Sequence, residues 1–378
     1  MSFTNKSYNK YVRTLCAILF YVFVFLYLYI YQQDVMLLTQ HLCSGGSTHY
    51  HPVIGTAIIM VSLALLQVGV GRIFRSFHLL YALSYTPSFI ILTALTSIHL
   101  LPSGYTFGAW TYMLPVSLVL FAGVAYILWH ISNETRSMFH YSLQTVITVN
   151  TLCMLSGFLF TCTLSNSSTT LHCQLKAERL VYDGHADKAL DVLKKAPEGD
   201  ASLTMLTAYA LSLEGQLPEK LFTYPIAKGA SNLLPDSVHT RLAYYPEGRL
   251  YHHIGLYLKQ RLSTRHYLQF IKSRRQGTKA FADYYLMALL LDKQLDAFVN
   301  ELPKFYDIQG NLPLHYREAL LLYTHLRTNP LIIFHSNVMD ADFQDFQVLE
   351  AKYSDKVQRY SAISDVYGNT YWFYYLYR

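Results

Sequence analysis

The residues of the first half that could do chemistry lie in one polar stretch, residues 31–52, which follows a long apolar run. Asp34, His41, His49 and His51 all fall within it, and Asp34 is the only acidic residue among the first 133. A carboxylate at the end of a membrane-spanning helix can act as a general base or a metal ligand, an arrangement found in membrane glycosyltransferases that use lipid-linked sugars. The histidines at positions 49 and 51 could together bind a divalent metal.

A purely structural interpretation of this stretch is also open. Asp34 could simply end a helix and face water, and the histidines could be ordinary side chains at a membrane surface. Glycosyltransferases of that type have more spans and usually a second acid, and the sequence offers neither. Asp34 and His41 are therefore candidate catalytic residues, His49 and His51 are candidate metal ligands, and we expect no cofactor.

A basic run in the second half is the remaining candidate site. Lys272, Arg274 and Arg275 stand close together there, and they could meet anionic lipid headgroups or an acidic polymer of the cell envelope. Such a run is more often the solvated face of a helix. The chain has no GxSxG, P-loop, HExxH or dinucleotide-binding fingerprint, so no established catalytic motif competes with these candidates.

The composition is that of a membrane protein in the first half and of a soluble domain in the second. Charged residues make up 14% of the chain and hydrophobic residues 52%, whereas soluble proteins carry about 25% charged residues. Residues 1–164 hold two acids and six bases, and residues 165–378 hold the other 22 acids and 24 bases. Because the excess positive charge lies beside apolar segments and not on one clustered basic face, we expect no nucleic-acid partner.

Five apolar segments approach the ~20 residues that a helix needs to cross the hydrocarbon core of a bilayer. The third is the weakest, because it contains Ser84, Pro87 and Ser88. We predict a transmembrane domain over residues 1–165 that is a bundle of five helices. Their spans run over about 11–31, 53–74, 79–101, 107–129 and 143–162.

The distribution of Lys and Arg predicts the orientation of this bundle, because short cytoplasmic loops are enriched in both residues. The N-terminal segment and every second loop hold six of them, and the intervening loops hold none. The N-terminus is therefore predicted to be cytoplasmic, and five crossings place the residues after about 165 outside the cytoplasm. The six bases are Lys6, Lys10, Arg13, Arg72, Arg75 and Arg136.

The second half repeats a unit of helix, polar turn and helix. The segments LHCQLKAERLVYDG and HADKALDVLKKAP form the first such pair, and Gly184, Ala189 and Pro197 match positions of the tetratricopeptide repeat. One hairpin cannot bury its apolar face alone, so stacked hairpins share a core. We predict an all-α chain whose second domain, over residues 166–378, is tetratricopeptide-like.

Two segments of the second half depart from this pattern. Residues 222–250 are rich in proline and glycine, and they predict a long loop or lid. The last stretch, DVYGNTYWFYYLYR, is strongly aromatic. It could lie at a membrane surface, and the structurally simpler interpretation is a strand or helix that packs on the repeat core.

Three motifs resemble an uncharacterised family of bacterial multi-pass inner-membrane proteins with a tetratricopeptide-like C-terminal domain. The motifs are YQQD followed by QHLCSGGSTHYHPVIG, then KLFTYPIAKGASNLLP, and finally GNTYWFYYLY. The resemblance implies an architecture and no catalytic residue. It also implies a location in the bacterial inner membrane, with the second domain in the periplasm.

The leading functional hypothesis is a membrane-anchored scaffold whose helical repeats bind a protein or peptide partner in the cell envelope, because stacked hairpins offer an extended concave surface. This hypothesis rests on analogy between folds. The alternative is a lipid-linked glycosyl or phospho-group transferase with Asp34 in its site. A scaffold predicts an open groove on the helical domain, and a transferase predicts a cavity that Asp34 faces.

Overall fold

Helices form nearly all the regular structure, which confirms the predicted all-helical class. A computed structural model of the protein describes residues 2–48, 50–74, 79–101, 104–135, 142–236 and 240–378, and only the backbone is described for 2–9, 100, 101, 104 and 131–135. The contacts divide the chain into two compact units, Met1–Ser168 and Thr169–Arg378.

The first unit is a helical bundle with one short β-hairpin, a feature that was not predicted. The strands β1 (His99–Leu101) and β2 (Gly104–Thr106) pair antiparallel. The helices are α1 (Ser2–Leu26) with a π-helical extension (Tyr27–Tyr31), α2 (Gln33–Cys43), α3 (Pro52–Ile73), a 3-10 turn (Tyr81–Tyr85) that continues as α4 (Thr86–Leu95), α5 (Trp110–Thr135) and α6 (Leu143–Leu164).

Among the described residues, four helices are long and apolar enough to cross a membrane, and the prediction of five is wrong at the third segment, 79–101. Only Tyr81–Leu95 of that segment is helical, and it covers roughly 25 Å, less than the ~30 Å of a hydrocarbon core. At its end, the carbonyl of Leu92 accepts both the N–H of Thr96, at 3.2 Å, and the Thr96 hydroxyl, at 3.0 Å. The four long helices are Lys10–Tyr31, Pro52–Ile73, Trp110–His130 and Leu143–Leu164.

The start of the short helical segment is fastened to α1 and α6 at one end of the bundle. Asn150 of α6 accepts the N–H of Ala82 through Oδ1 at 2.7 Å and donates Nδ2 to the carbonyl of Leu79 at 3.0 Å. The guanidinium of Arg13, in α1, lies 5.2 Å from the centre of the Tyr81 ring. These contacts satisfy backbone groups at the start of the segment that have no partner within a helix.

The end of the same segment is fastened at the opposite end of the bundle. Thr96 shares a hydrogen bond with the hydroxyl of Tyr27, at 3.0 Å, and its carbonyl accepts the N–H of Asn166, just after α6. Arg13 and Tyr27 are fourteen residues apart along α1, which is roughly 21 Å of helix. The short segment therefore connects the same two ends of the bundle as the long helices do.

The remaining helices alternate in direction between these two ends. Gln67, near the end of α3, donates to the hydroxyl of Tyr81 at 3.0 Å, and Trp110, the first residue of α5, donates to the carbonyl of Leu164 at 3.2 Å. The helix α6 then returns from the end near Tyr81 to the end near Thr96. As a result, the chain leaves the first unit at the end opposite the start of α1.

Helices are the only regular structure among the described residues of the second unit. Side-chain caps mark several helix starts, such as Asp200 before α9 and Thr370 before α18. The helices are α7 (Thr169–Tyr182), α8 (Ala186–Leu193), α9 (Ala201–Leu213), α10 (Leu217–Lys220), α11 (Glu247–Ile254), α12 (Thr264–Arg274), α13 (Lys279–Leu291), α14 (Leu295–Glu301), α15 (Leu314–Leu326), α16 (Asn337–Lys352), α17 (Lys356–Tyr367) and α18 (Tyr371–Tyr377), with 3-10 turns at Leu221–Thr223, Ala230–Leu233 and Leu302–Lys304.

Three helical hairpins of this unit turn in the same way. In each, the N–H after the turn donates to the carbonyl five residues earlier at 2.8 Å, from 185 to 180, from 216 to 211 and from 294 to 289. The residue before that donor has a left-handed backbone, which favours glycine. Gly184 and Gly215 supply the first two turns with φ of 80° and 66°, and Lys293 supplies the third with φ of 56°.

The described residues of the segment predicted as a loop or lid, 222–236 and 240–250, form short 3-10 turns, irregular stretches and the start of α11, and part of them packs into the core of the second unit. Ile226, Ala230 and Leu233 are at most 4% exposed. The fully buried carboxylate of Glu178 accepts the N–H groups of residues 243–245 and holds the far part of the segment to α7. Burial raises the pKa of Glu178, and these N–H donors oppose the rise.

The aromatic stretch at the end of the sequence forms the helix α18, and the interpretation that it packs on the core is confirmed. Its residues Tyr371, Trp372, Phe373 and Tyr374 are all at most 3% exposed. The indole N–H of Trp372 donates to the carbonyl of Glu318 at 2.8 Å. A buried indole that finds such a partner contributes apolar area without leaving an unpaired donor.

The close packing of α4 against α6 is tested by adding one methyl group at Gly157. A Cβ there would lie 2.4 Å from the ring of Phe89, which is only 3% exposed and therefore cannot move aside. We expect Gly157→Ala to lower the free energy of unfolding in detergent by about 1–3 kcal/mol. Gly123→Ala, in α5, is the control, because nothing lies within 4 Å of its added methyl group. Equal stability of the two variants would contradict this packing.

Candidate functional site

The end of the first unit at which α1 stops holds a buried polar cluster, which we define as Tyr27, Gln32, Thr96 and Asn166. Gln32 is fully buried, and its Nε2 donates to the hydroxyl of Tyr27 at 3.2 Å and to the carbonyl of Asn166 at 3.1 Å. Asn166 in turn donates Nδ2 to the carbonyl of Ile98 at 2.8 Å. The cluster joins the ends of α1, α4 and α6.

The π-helix at Tyr27–Tyr31 is what brings Gln32 to this cluster. A π-turn closes between residues five apart, and the N–H of Gln32 donates to the carbonyl of Tyr27 at 2.8 Å in that way. The wider turn places the Gln32 and Tyr27 side chains next to each other, whereas residues five apart in an α-helix point in different directions. Turns of this kind are rare and often occur at functional sites.

The predicted catalytic and metal-binding residues lie near this end of the unit. Asp34 is in the first turn of α2, where the helix dipole favours a carboxylate, and its Oδ1 is buried. His41 is in the last turn of α2, and its ring packs against Gly46. His51 is exposed just before α3, and His49 lies outside the described residues. Within the part of the chain that the structure describes, no three His, Cys, Asp or Glu side chains are grouped to hold a metal.

The first unit does not supply Asp34 with a second carboxylate. Its only other acidic residue is Glu134, which lies in the last turn of α5. That helix begins at the Asp34 end with Trp110, and its 26 residues extend roughly 39 Å away from there. An acid and a base that act on one substrate must both reach it, and Glu134 is too far from Asp34 for that. The buried polar cluster near Asp34 is therefore better suited to joining three helices than to acid–base chemistry.

The predicted basic run of the second unit is partly neutralised. The ammonium of Lys272 lies 2.7 Å from Glu301 Oε2 and 4.7 Å from the centre of the Tyr285 ring. Burial alone would lower the pKa of Lys272, but the Glu301 carboxylate and the Tyr285 hydroxyl outweigh it and raise that pKa. Arg274 lies over the ring of Phe270, and Arg275 ends α12 in a left-handed conformation. Both arginines are exposed.

The second unit has an open groove with a volume of about 320 Å³. Three segments that are far apart in the sequence form it: the turn after α8, the turn after α10, and the residues around α18. Its positive charges outnumber its negative ones, since Lys194, Lys195 and Arg378 line it with Glu198. The full lining is Lys194, Lys195, Ala196, Glu198, Phe222, Thr223, Tyr224, Pro225, Gly368, Asn369 and Arg378.

A buried His–Glu pair holds the floor of this groove. His315 is fully buried, and its Nε2 accepts the N–H of Phe222 at 3.4 Å, so its proton is on Nδ1 and is donated to Glu318 Oε2 at 2.8 Å. The same carboxylate oxygen accepts the N–H of Tyr371 at 2.8 Å. Sequence reasoning missed this pair, because the HYRE segment looks like an ordinary helical surface until the turn at Phe222 folds over it.

The buried polar cluster makes a prediction about stability. Gln32→Leu leaves the carbonyl of Asn166 and the hydroxyl of Tyr27 without their amide donor, which should lower the free energy of unfolding in detergent by about 1–3 kcal/mol. Gln33→Leu is the matched control one residue away, because its side chain is partly exposed. If both variants unfold at the same denaturant concentration, Gln32 does not fasten the helices as described.

Comparison with known proteins yields one match. The model of a family of unknown function, DUF6057, matches residues 258–378, which begin before α12 and include α18. The matched part lies within the second unit and contains the GNTYWFYYLY motif, but neither of the other two motifs. No curated protein and no solved structure matches the chain. Over its last third, the chain is therefore similar to a family whose description states no activity.

Proposed function

We propose that this protein is a membrane-anchored scaffold whose second unit binds a protein or peptide partner in the groove between the turn after α8, the turn after α10 and α18. The open groove is the observation that carries the proposal. Its floor residue Phe222 is held by His315 and lies against Tyr374, with ring centres 4.9 Å apart. A concave surface on a rigid core is preformed for binding, which lowers the entropic cost of association.

The repeated hairpin turns support the same proposal. Gly184, Gly215 and Lys293 occupy equivalent positions in three hairpins, as expected for a fold that resembles the tetratricopeptide repeat. In such folds each hairpin packs on its neighbours, and the stack presents a continuous surface for a partner. The inserted segment 222–250 joins this surface, because its first residues line the groove.

The first unit is the membrane anchor in this proposal, and the membrane is the bacterial inner membrane. The long helices expose apolar side chains that have no role in water, such as Leu65 and Val119, which are 70% and 72% exposed. Arg13 and Arg72, two of the bases that predict the orientation of the bundle, lie near the end where α1 begins. The chain leaves the first unit at the opposite end, which supports a proposed location of the second unit in the periplasm.

The alternative of a lipid-linked transferase has less support. It needs a cavity that Asp34 faces and a second acid, and the first unit supplies no second carboxylate near Asp34. The lysines and the arginine of the groove offer no acid–base pair either. Asp34 at the start of α2 is accounted for by its stabilising position at a helix N-terminus.

The orientation is tested with alkaline phosphatase, which is active only outside the cytoplasm. A fusion after Arg378 should be active, because the chain leaves the bundle at the end opposite the start of α1. A fusion to the N-terminus is the control and should be inactive. Activity of the N-terminal fusion alone would reverse the orientation and place the partner in the cytoplasm.

The partner is tested by affinity purification of the full chain in mild detergent. We expect a stoichiometric partner from the wild type and a loss of at least tenfold from Asn369→Trp, because the indole would occupy the groove that exposed Asn369 lines. Ser273→Trp adds the same side chain to an exposed site outside the groove and should retain the partner. Recovery of the protein alone, or equal loss in both variants, would count against the proposal.

A further inference from the structure

Lys293 occupies a position at which the hairpin turns after α7 and α9 have glycine, Gly184 and Gly215. Its φ of 56° lies in the left-handed region, which a side chain with a Cβ rarely adopts. The turn makes the same hydrogen bond as the turns at Gly184 and Gly215, so the backbone has no need of a lysine here. Residues held in such conformations occur preferentially at binding and active sites.

The Lys293 side chain lies over two tyrosine rings, and Lys228 reaches the same place through its neighbour Gly229, whose N–H donates to the hydroxyl of Tyr374 at 3.1 Å. The Nζ of Lys293 is 5.9 Å from the centre of the Tyr374 ring and 5.8 Å from that of Tyr375. Burial and the positive charge of Lys228 together lower the pKa of Lys293. Two like charges at such a site repel each other, and an anion between them would relieve that repulsion.

The carboxylate of the preceding residue, Asp292, is occupied by other groups. Asp292 Oδ1 accepts the N–H of Ala230 at 2.9 Å, and its Oδ2 pairs with Arg265 Nε at 2.7 Å. It therefore holds the KLFTYPIAKG segment and α12 in place and is not directed at the ammonium of Lys293. The two lysines remain the positively charged groups of this surface that are positioned to meet an added anion.

We infer that Lys228 and Lys293 bind a carboxylate of an acidic peptide segment of the partner, an inference that rests on the proposed function. The site lies beside the groove, because Lys228 follows the lining residue Pro225 by three residues. Tyr374 separates the two surfaces: its ring contacts Phe222 of the groove floor and also lies under Lys293. A peptide that follows the groove would thus place an acidic side chain between the two ammonium groups.

The charge distribution favours a peptide over a lipid surface. Attraction to anionic lipids typically uses clusters of four to eight Lys or Arg, and the second half carries 24 bases against 22 acids. Arg265 and Arg327, two further cations of this surface, are paired with Asp292 and Asp296. Two lysines framed by tyrosine rings form a local site that suits a single carboxylate.

The test measures binding of a fluorescently labelled hexaglutamate peptide to the full-length protein in detergent, by fluorescence anisotropy at low ionic strength. We expect Lys293→Gly to weaken binding about tenfold, while its thermal midpoint stays unchanged or rises because glycine suits the left-handed turn. Arg275→Gly is the matched control: it removes one positive charge from the other left-handed non-glycine residue. It should relieve the same strain and leave the peptide affinity unchanged.

Several outcomes would overturn the inference. These are no binding of hexaglutamate to the wild type, equal affinity of Lys293→Gly and wild type, or an equal loss in Arg275→Gly. Inorganic phosphate that competes as well as the peptide would indicate a free-anion site, and loss of binding to phosphatidylglycerol vesicles in Lys293→Gly alone would indicate a lipid site. If purification yields no partner but Lys293→Gly still weakens hexaglutamate binding, the proposed function fails and the carboxylate site stands.

Discussion

The hydrogen bonds at the two ends of the short helical segment Tyr81–Leu95 are the interactions on which the first unit depends. A helix too short to cross a bilayer has backbone groups at both ends that water cannot reach inside a bundle, and each would cost free energy if left unpaired. Asn150 satisfies backbone groups at one end, and Asn166 satisfies the carbonyls of Thr96 and Ile98 at the other. With these partners, the short segment connects the two ends of the bundle as a full-length helix would. Successive helices therefore still alternate in direction, and the chain leaves the first unit at the end opposite the start of α1.

The sequence was sufficient for the features that depend on composition over many residues. The four long helices were predictable, because each holds about twenty apolar residues in succession. The packing of α18 was predictable too, since six aromatic side chains are difficult to leave in water. The third segment misled the prediction, because hydropathy counts Leu100 and Leu101 as part of a helix when they belong to a strand. The helix already ends at Leu95, and hydropathy does not register that boundary.

The candidate sites were less predictable, because they are assembled from distant residues. The groove joins Lys194, Phe222 and Asn369, which no local pattern connects. The buried cluster depends on Gln32 and Asn166. Both have uncharged amide side chains, which a search of the sequence for charged residues does not select. The candidate residues chosen from the sequence were of charged or metal-binding types. One of them, Lys272, forms an ion pair with Glu301 in the structure. A further signal was available in the alignment of YDGH, LEGQ and LDKQ, where a lysine replaces glycine.

The π-helix between α1 and α2 has a consequence for how this fold tolerates insertions and deletions. A π-turn is an α-helix that has gained one residue, and each residue of an α-helix corresponds to a rotation of about 100°. Deleting one residue from Tyr27–Tyr31 would restore a regular ladder but turn α1 by that angle relative to α2. The face of α1 that carries Phe20 and the side chain of Gln32 would then no longer point toward the same interior. One extra residue thus sets the rotational phase of the entire first span.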